Sequence, residues 1–107
     1  MHVHVVVVEL VLVLSQQVQA LCIYEKYHQR TLDEKYATVY TSLSIQIFTE
    51  CEQICLRHGV MCVGANVFPS GRYYVCSLFY EIQKPVKDDM MLRTKNGKLI
   101  LKTRGKS

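Results

Sequence analysis

From residue 3 to residue 14 the chain is almost unbroken Val and Leu, interrupted only by His4 and Glu9. The polar stretch Ser15-Gln16-Gln17 follows, then Val18-Gln19-Ala20, a small-x-small cleavage pattern. This is the layout of a secretory signal peptide over residues 1–20, cut between Ala20 and Leu21. Its n-region carries His in place of Lys or Arg. A signal anchor or a buried strand is the competing reading, but so short an apolar run does not comfortably span a hydrocarbon core of about 30 Å as a helix. Downstream the pattern changes character. Residues 31–35 are polar and read as a loop, and residues 36–47, rich in Tyr, Thr, Val and Ile, read in part as a strand. Residues 50–58 read as a short helix, with Thr49 and Glu52 forming a capping box at its start. His58 stands in its last turn and Gly59 supplies the stop. Two apolar, β-prone runs follow, 61–68 and 72–80, joined by the turn Phe68-Pro69-Ser70-Gly71. After a polar passage at 81–85, two further β-like runs flank Asn96-Gly97, the strongest short hairpin signal in the chain.

With residues 1–20 removed, residues 21–107 form one small domain with a thin core. All five cysteines lie in it: Cys22, Cys51, Cys55, Cys62 and Cys76. In an oxidising compartment such cysteines become staples, each contributing about 2–4 kcal/mol. Cys51 and Cys55 share one face of the helix, whereas Cys62 and Cys76 are expected on the two strands after it. Zinc ligation by these four, with His58 as a substitute, lacks the short paired knuckles of a zinc site, so disulfides are expected. Four cysteines allow three pairings. Cys51 with Cys55 is the least expected, since one helical turn gives poor bridging geometry. Five is an odd number, so one cysteine is unpaired or bonds another chain. The elements and the cysteines thus point to an α+β domain, one helix packed on an antiparallel sheet and stapled by disulfides.

The order helix Cys-x3-Cys (Cys51, Cys55), strand cysteine (Cys62), then Cys76-Ser77-Leu78 resembles the PAN/apple domain family. The motif occupies residues 49–80, and the outline covers most of residues 21–107. The resemblance implies nested pairing, Cys51 to Cys76 and Cys55 to Cys62. Apple domains add a third bridge between the two ends of the domain. Cys22 matches its first half, and no cysteine follows Cys76 to supply the second. This leaves Cys22 unpaired or intermolecular, with a covalent dimer through Cys22 as one outcome. The early cysteine followed by this core is also similar to the small secreted leech anti-platelet proteins of the same fold. What the family implies is an extracellular binding module for proteins or carbohydrates, some heparin-like, without catalysis, metal or cofactor.

The residues agree on chemistry. There is no G-x-S-x-G, no paired carboxylates placed for acid–base work and no glycine-rich phosphate loop. A Cys22–His28 nucleophilic pair has no orienting third group. Charge adds a lead. The net charge is +4, rising to +5 once Glu9 leaves with the signal peptide, and from Arg93 onward there are six basic residues and no acidic one. A hairpin at Asn96-Gly97 would set Arg93, Lys95, Lys98 and Lys102 on one face, attractive to a sulfated glycan or an acidic protein surface. Lys95 opposite Lys98 is unfavourable unless an anion sits there. The plainer account is that lysines on an edge hairpin block aggregation. A secreted chain is not expected to meet nucleic acid, nor to stay inserted in a membrane after signal cleavage. The expectation is therefore a secreted, non-catalytic module recognising a protein or an anionic glycan. The alternative is a toxin-like or anti-haemostatic effector that blocks a receptor or matrix protein through its loops.

Overall fold

The computed structural model describes residues 22–104, so the signal-peptide expectation lies outside the described residues. In chain order the elements are β1 (Cys22–Leu32), β2 (Ala37–Ile45), α1 (Glu50–Arg57), β3 (Gly64–Ser70), β4 (Tyr73–Ile82) and β5 (Met91–Arg104). The strands form one antiparallel sheet in the order β1-β5-β3-β4-β2. The fold is α+β in outline but mostly sheet, with a single α-helix among the described residues, packed on one face. No helix among the described residues is long and apolar enough to cross a membrane.

Period-2 alternation divides the sheet's side chains into two cores. On the helix side, Ala65, Val67, Cys76, Leu78 and Ile45 pack with Cys51, Cys55 and Cys62. On the other side, Leu32, Phe79, Met90, Leu99 and Leu101 form a second cluster. Cys51 is bonded to Cys76 and Cys55 to Cys62. The first bridge ties α1 to the strand at its back, and the second closes the loop between α1 and β3. Four buried sulfurs thus serve as core side chains as well as staples. Gly64, the first residue of β3, lies so close to β5 that a Cβ there would come within 2.8 Å of the Ile100 carbonyl oxygen.

Several local expectations are corrected. α1 begins at Glu50, as read, but Thr49 has helical backbone angles and its side chain makes no capping bond. The Glu50 N–H is satisfied instead by the Ile47 carbonyl at 3.0 Å. At the other end Gly59 takes the left-handed conformation expected of a helix stop (φ +58°). Residues 59–61 then form a 3₁₀ turn, so Met61 and Cys62 precede the strand they were expected to join. Residues 31 and 32, read as loop, are the buried end of β1. The largest correction is in β5. No hairpin forms at Asn96-Gly97; β5 is one continuous strand of 14 residues, inserted between β1 and β3. The left-handed preference of Asn is used, since Asn96 has φ +58°, but in a bulge.

Candidate functional site

The bulge is where the cations gather. β1 and β5 run in register from Cys22↔Arg104 to His28↔Lys98, then resume at Arg30↔Arg93. Between those points Gln29 alone faces residues 94–97. Gln29 is itself left-handed (φ +61°). Its side-chain oxygen accepts the Asn96 backbone N–H at 2.8 Å. Just beyond, the Thr31 and Thr94 hydroxyls share a hydrogen bond of 2.7 Å across the strands. The two strands are therefore pushed apart locally but held at both margins. The result is an open cavity of about 470 Å³ lined by His28, Gln29, Arg30, Arg93, Thr94 and Lys95.

Three of those side chains, Arg30, Arg93 and Lys95, are basic, and the His28 imidazole lines the same cavity. Arg30 and Arg93 are directly opposed across the ladder, with Cα atoms about 4.5–5.5 Å apart. Like charges so placed repel. The nearest acid is Asp88, whose carboxylate lies 3.9 Å from the Arg30 guanidinium and is 92% exposed. A pair that long and that exposed contributes little. Arg93 and Lys95 have no ion-pair partner among the described residues. Two guanidinium groups beside an ammonium, with little to neutralise them, can receive a carboxylate or sulfate with charge-assisted, bidentate hydrogen bonds. Tyr27 lies alongside. Its hydroxyl donates to Glu25 at 2.7 Å, and that bond, with burial, raises its pKa above the ordinary phenol value.

Of the four cations expected on one face, the structure brings Arg93 and Lys95 together here and separates the other two. Lys98 is buried on the helix side, its ammonium 4.9 Å above the Phe48 ring and 3.8 Å from Glu52. Glu52 also holds Lys26 at 3.0 Å. Lys102 donates to the Gly59 carbonyl at 2.9 Å and so clasps the end of the α1 loop. Neither is placed for a ligand at the bulge. The physical reason is the absent hairpin: β5 pairs with β1 and β3, so its alternate residues turn toward α1. Sequence reasoning missed His28 and Arg30. Nothing local to them signals that β1 will lie beside a strand some 65 residues later.

The remaining candidates resolve simply. All four core cysteines are in disulfides, which removes them as zinc ligands, and among the described residues no three His, Cys, Asp or Glu side chains gather as a metal site. Cys22 opens β1 opposite Arg104; the expectation that it is unpaired or intermolecular concerns a side chain outside the described ones. Six residues along a strand put it about 20 Å from His28 in Cα position, so the two do not form a nucleophilic pair. His58 accepts or donates at Nδ1 to the Tyr40 hydroxyl at 2.8 Å, and burial raises the pKa of that hydroxyl. A second cavity, about 360 Å³, lies between the start of β2 and the end of β4. Lys35 and Glu81 on its walls leave it without a dominant charge.

The described residues thus form a disulfide-stapled, five-stranded antiparallel sheet with one α-helix and a cationic cavity between β1 and β5. No protein-family model matches the chain, and neither curated proteins nor solved structures yield a significant match.

Proposed function

We propose that this is a secreted, non-catalytic recognition module of the PAN/apple type that binds an anionic extracellular partner, a sulfated glycan or an acidic protein surface. The observation that carries this reading is the cavity at the β1–β5 bulge, where Arg30 and Arg93 oppose one another beside His28 and Lys95. A folded chain tolerates an opposed arginine pair most readily when an anion lies between them. The PAN/apple part is supported by the order of the cysteines and their nested pairing. Secretion is supported by the two disulfides.

The test is retention on immobilised heparin. Wild type should elute at elevated salt, as exposed charge–charge binding is screened. Arg30→Ala with Arg93→Ala should elute markedly earlier, while Lys98→Met should elute with wild type because the Lys98 ammonium is buried against Phe48 and Glu52. Coincident elution of all three proteins would sink the reading. A second reading, an effector that blocks a receptor or matrix protein, draws on the hairpin between β3 and β4, whose tip at residues 70–73 is exposed and ends in Tyr73. Binding that persists at high salt and disappears with Tyr73→Ala would favour it.

A further inference from the structure

The two edges of the sheet are guarded differently. β1, at one edge, carries exposed Glu25, Lys26, His28 and Arg30 and is broken by the bulge at Gln29. Charges and bulges are what keep a free edge from pairing with another chain. β2, at the other edge, has no charged residue and no proline. Its first half is protected by irregular pairing: the register with β4 shifts between Thr38 and Val39 and again between Val39 and Thr41. From Thr41↔Leu78 to Ile45↔Tyr74 the ladder is regular. Over residues 41–45 the outer side of β2 is therefore a straight, uncharged template with outward N–H and C=O groups. Among the described residues β2 pairs only with β4.

We infer that the edge of β2 at residues 41–45, unpaired among the described residues, is a self-association surface, and that its occupant is the same strand of a second copy. Antiparallel pairing about a two-fold axis through Leu43 places Leu43 opposite Leu43, Ser42 opposite Ser44, and Thr41 opposite Ile45. No like charges meet, and hydroxyls face hydroxyls. The charge layout favours this edge over the other. Arg30, Arg93 and Lys95 belong to β1 and β5, four and three strand spacings away, or about 19 and 14 Å. Two positively charged copies meeting at β2 keep those groups at the far ends of a continuous ten-stranded sheet. Pairing at β1 would bring them together. The surface is separate from Cys22, and the inference stands whatever the bulge cavity binds.

The experiment is sedimentation velocity on the Cys22→Ser chain, which removes any covalent dimer, with peptide mapping to verify both disulfides in every variant. The Cys22→Ser chain should show a concentration-dependent monomer–dimer equilibrium. Adding Ser42→Lys and Ser44→Lys sets lysine opposite lysine twice per dimer and should raise the dissociation constant at least about tenfold. Ser42→Asp with Ser44→Asp should do the same, and mixing the two charged variants should restore a dimer. A Cys22→Ser chain that is monomeric throughout overturns the inference. So does a lysine variant that dimerises like its parent. Loss of dimer in both variants without recovery on mixing overturns it too, because that pattern marks damage rather than matched pairing.

Discussion

Single side chains decide more of this fold than their types announce. Asn66, on β3, is buried, and its amide closes a two-way bridge to β1: it accepts the Leu32 N–H at 2.8 Å and donates to the Leu32 carbonyl at 2.8 Å. Asn66→Ala strands two backbone groups at a buried position and is expected to destabilise by about 2–4 kcal/mol. Asn66→Asp keeps the volume but turns the donor into an acceptor aimed at a carbonyl, and should be no better tolerated. Denaturant midpoints for both variants check this; a loss below about 1 kcal/mol for either would contradict it. Lys98 and Glu52 form the second case. Removing the acid leaves the buried ammonium with Phe48 alone, whereas replacing the lysine leaves Glu52 with Lys26. Glu52→Gln should therefore cost more than Lys98→Met, by about 1–3 kcal/mol. Equal losses would show that Lys98 reaches solvent. Neither role was legible in the sequence. An asparagine in an apolar run and a lysine after Asn-Gly both look like surface residues, and only non-local strand pairing buries them.

At the scale of elements, legibility followed locality. The helix, the start of β2 and the β3–β4 hairpin rest on short-range signals, and each lies within a few residues of its expected place. The Thr49 cap was misread because the chain enters α1 through a tight turn, so the Ile47 carbonyl reaches the first N–H before the threonine side chain can. Asn96-Gly97 was misread for a deeper reason. A left-handed asparagine suits a two-residue turn and a bulge equally, and the choice belongs to whatever strand lies alongside. Here that strand is β1, whose Gln29 holds the Asn96 N–H. The backbone at Asn96 sets a prediction of its own. Asn96→Gly should leave stability almost unchanged, while Asn96→Val forces a β-branched residue to positive φ and should lose about 1–2 kcal/mol. Thermal or denaturant unfolding of the pair is sufficient, and a valine variant as stable as wild type would mean that the bulge is absent.

Across the whole molecule, the strand order puts β1 and β5, the first and last strands of the described residues, side by side, so one edge of the sheet is completed only when segments far apart in the sequence meet. That arrangement assembles the cationic cavity from residues 28–30 and 93–95, and so brings Arg93 and Lys95 beside Arg30. The disulfides work on the opposite half, and they differ in reach. Cys51–Cys76 spans 25 residues and joins α1 to β4; Cys55–Cys62 spans 7 and closes a local loop. All four cysteines are fully buried, so replacing either pair by alanine removes similar packing. The difference between them should then come from the unfolded chain. Loop-closure entropy assigns about 3.5 kcal/mol to the longer bridge and about 2.5 kcal/mol to the shorter. Cys51→Ala with Cys76→Ala is accordingly expected to be less stable than Cys55→Ala with Cys62→Ala by about 1 kcal/mol, read from denaturant midpoints at matched slopes. The reverse order would locate the main constraint in the α1–β3 loop, where Lys102 already clasps Gly59 from β5.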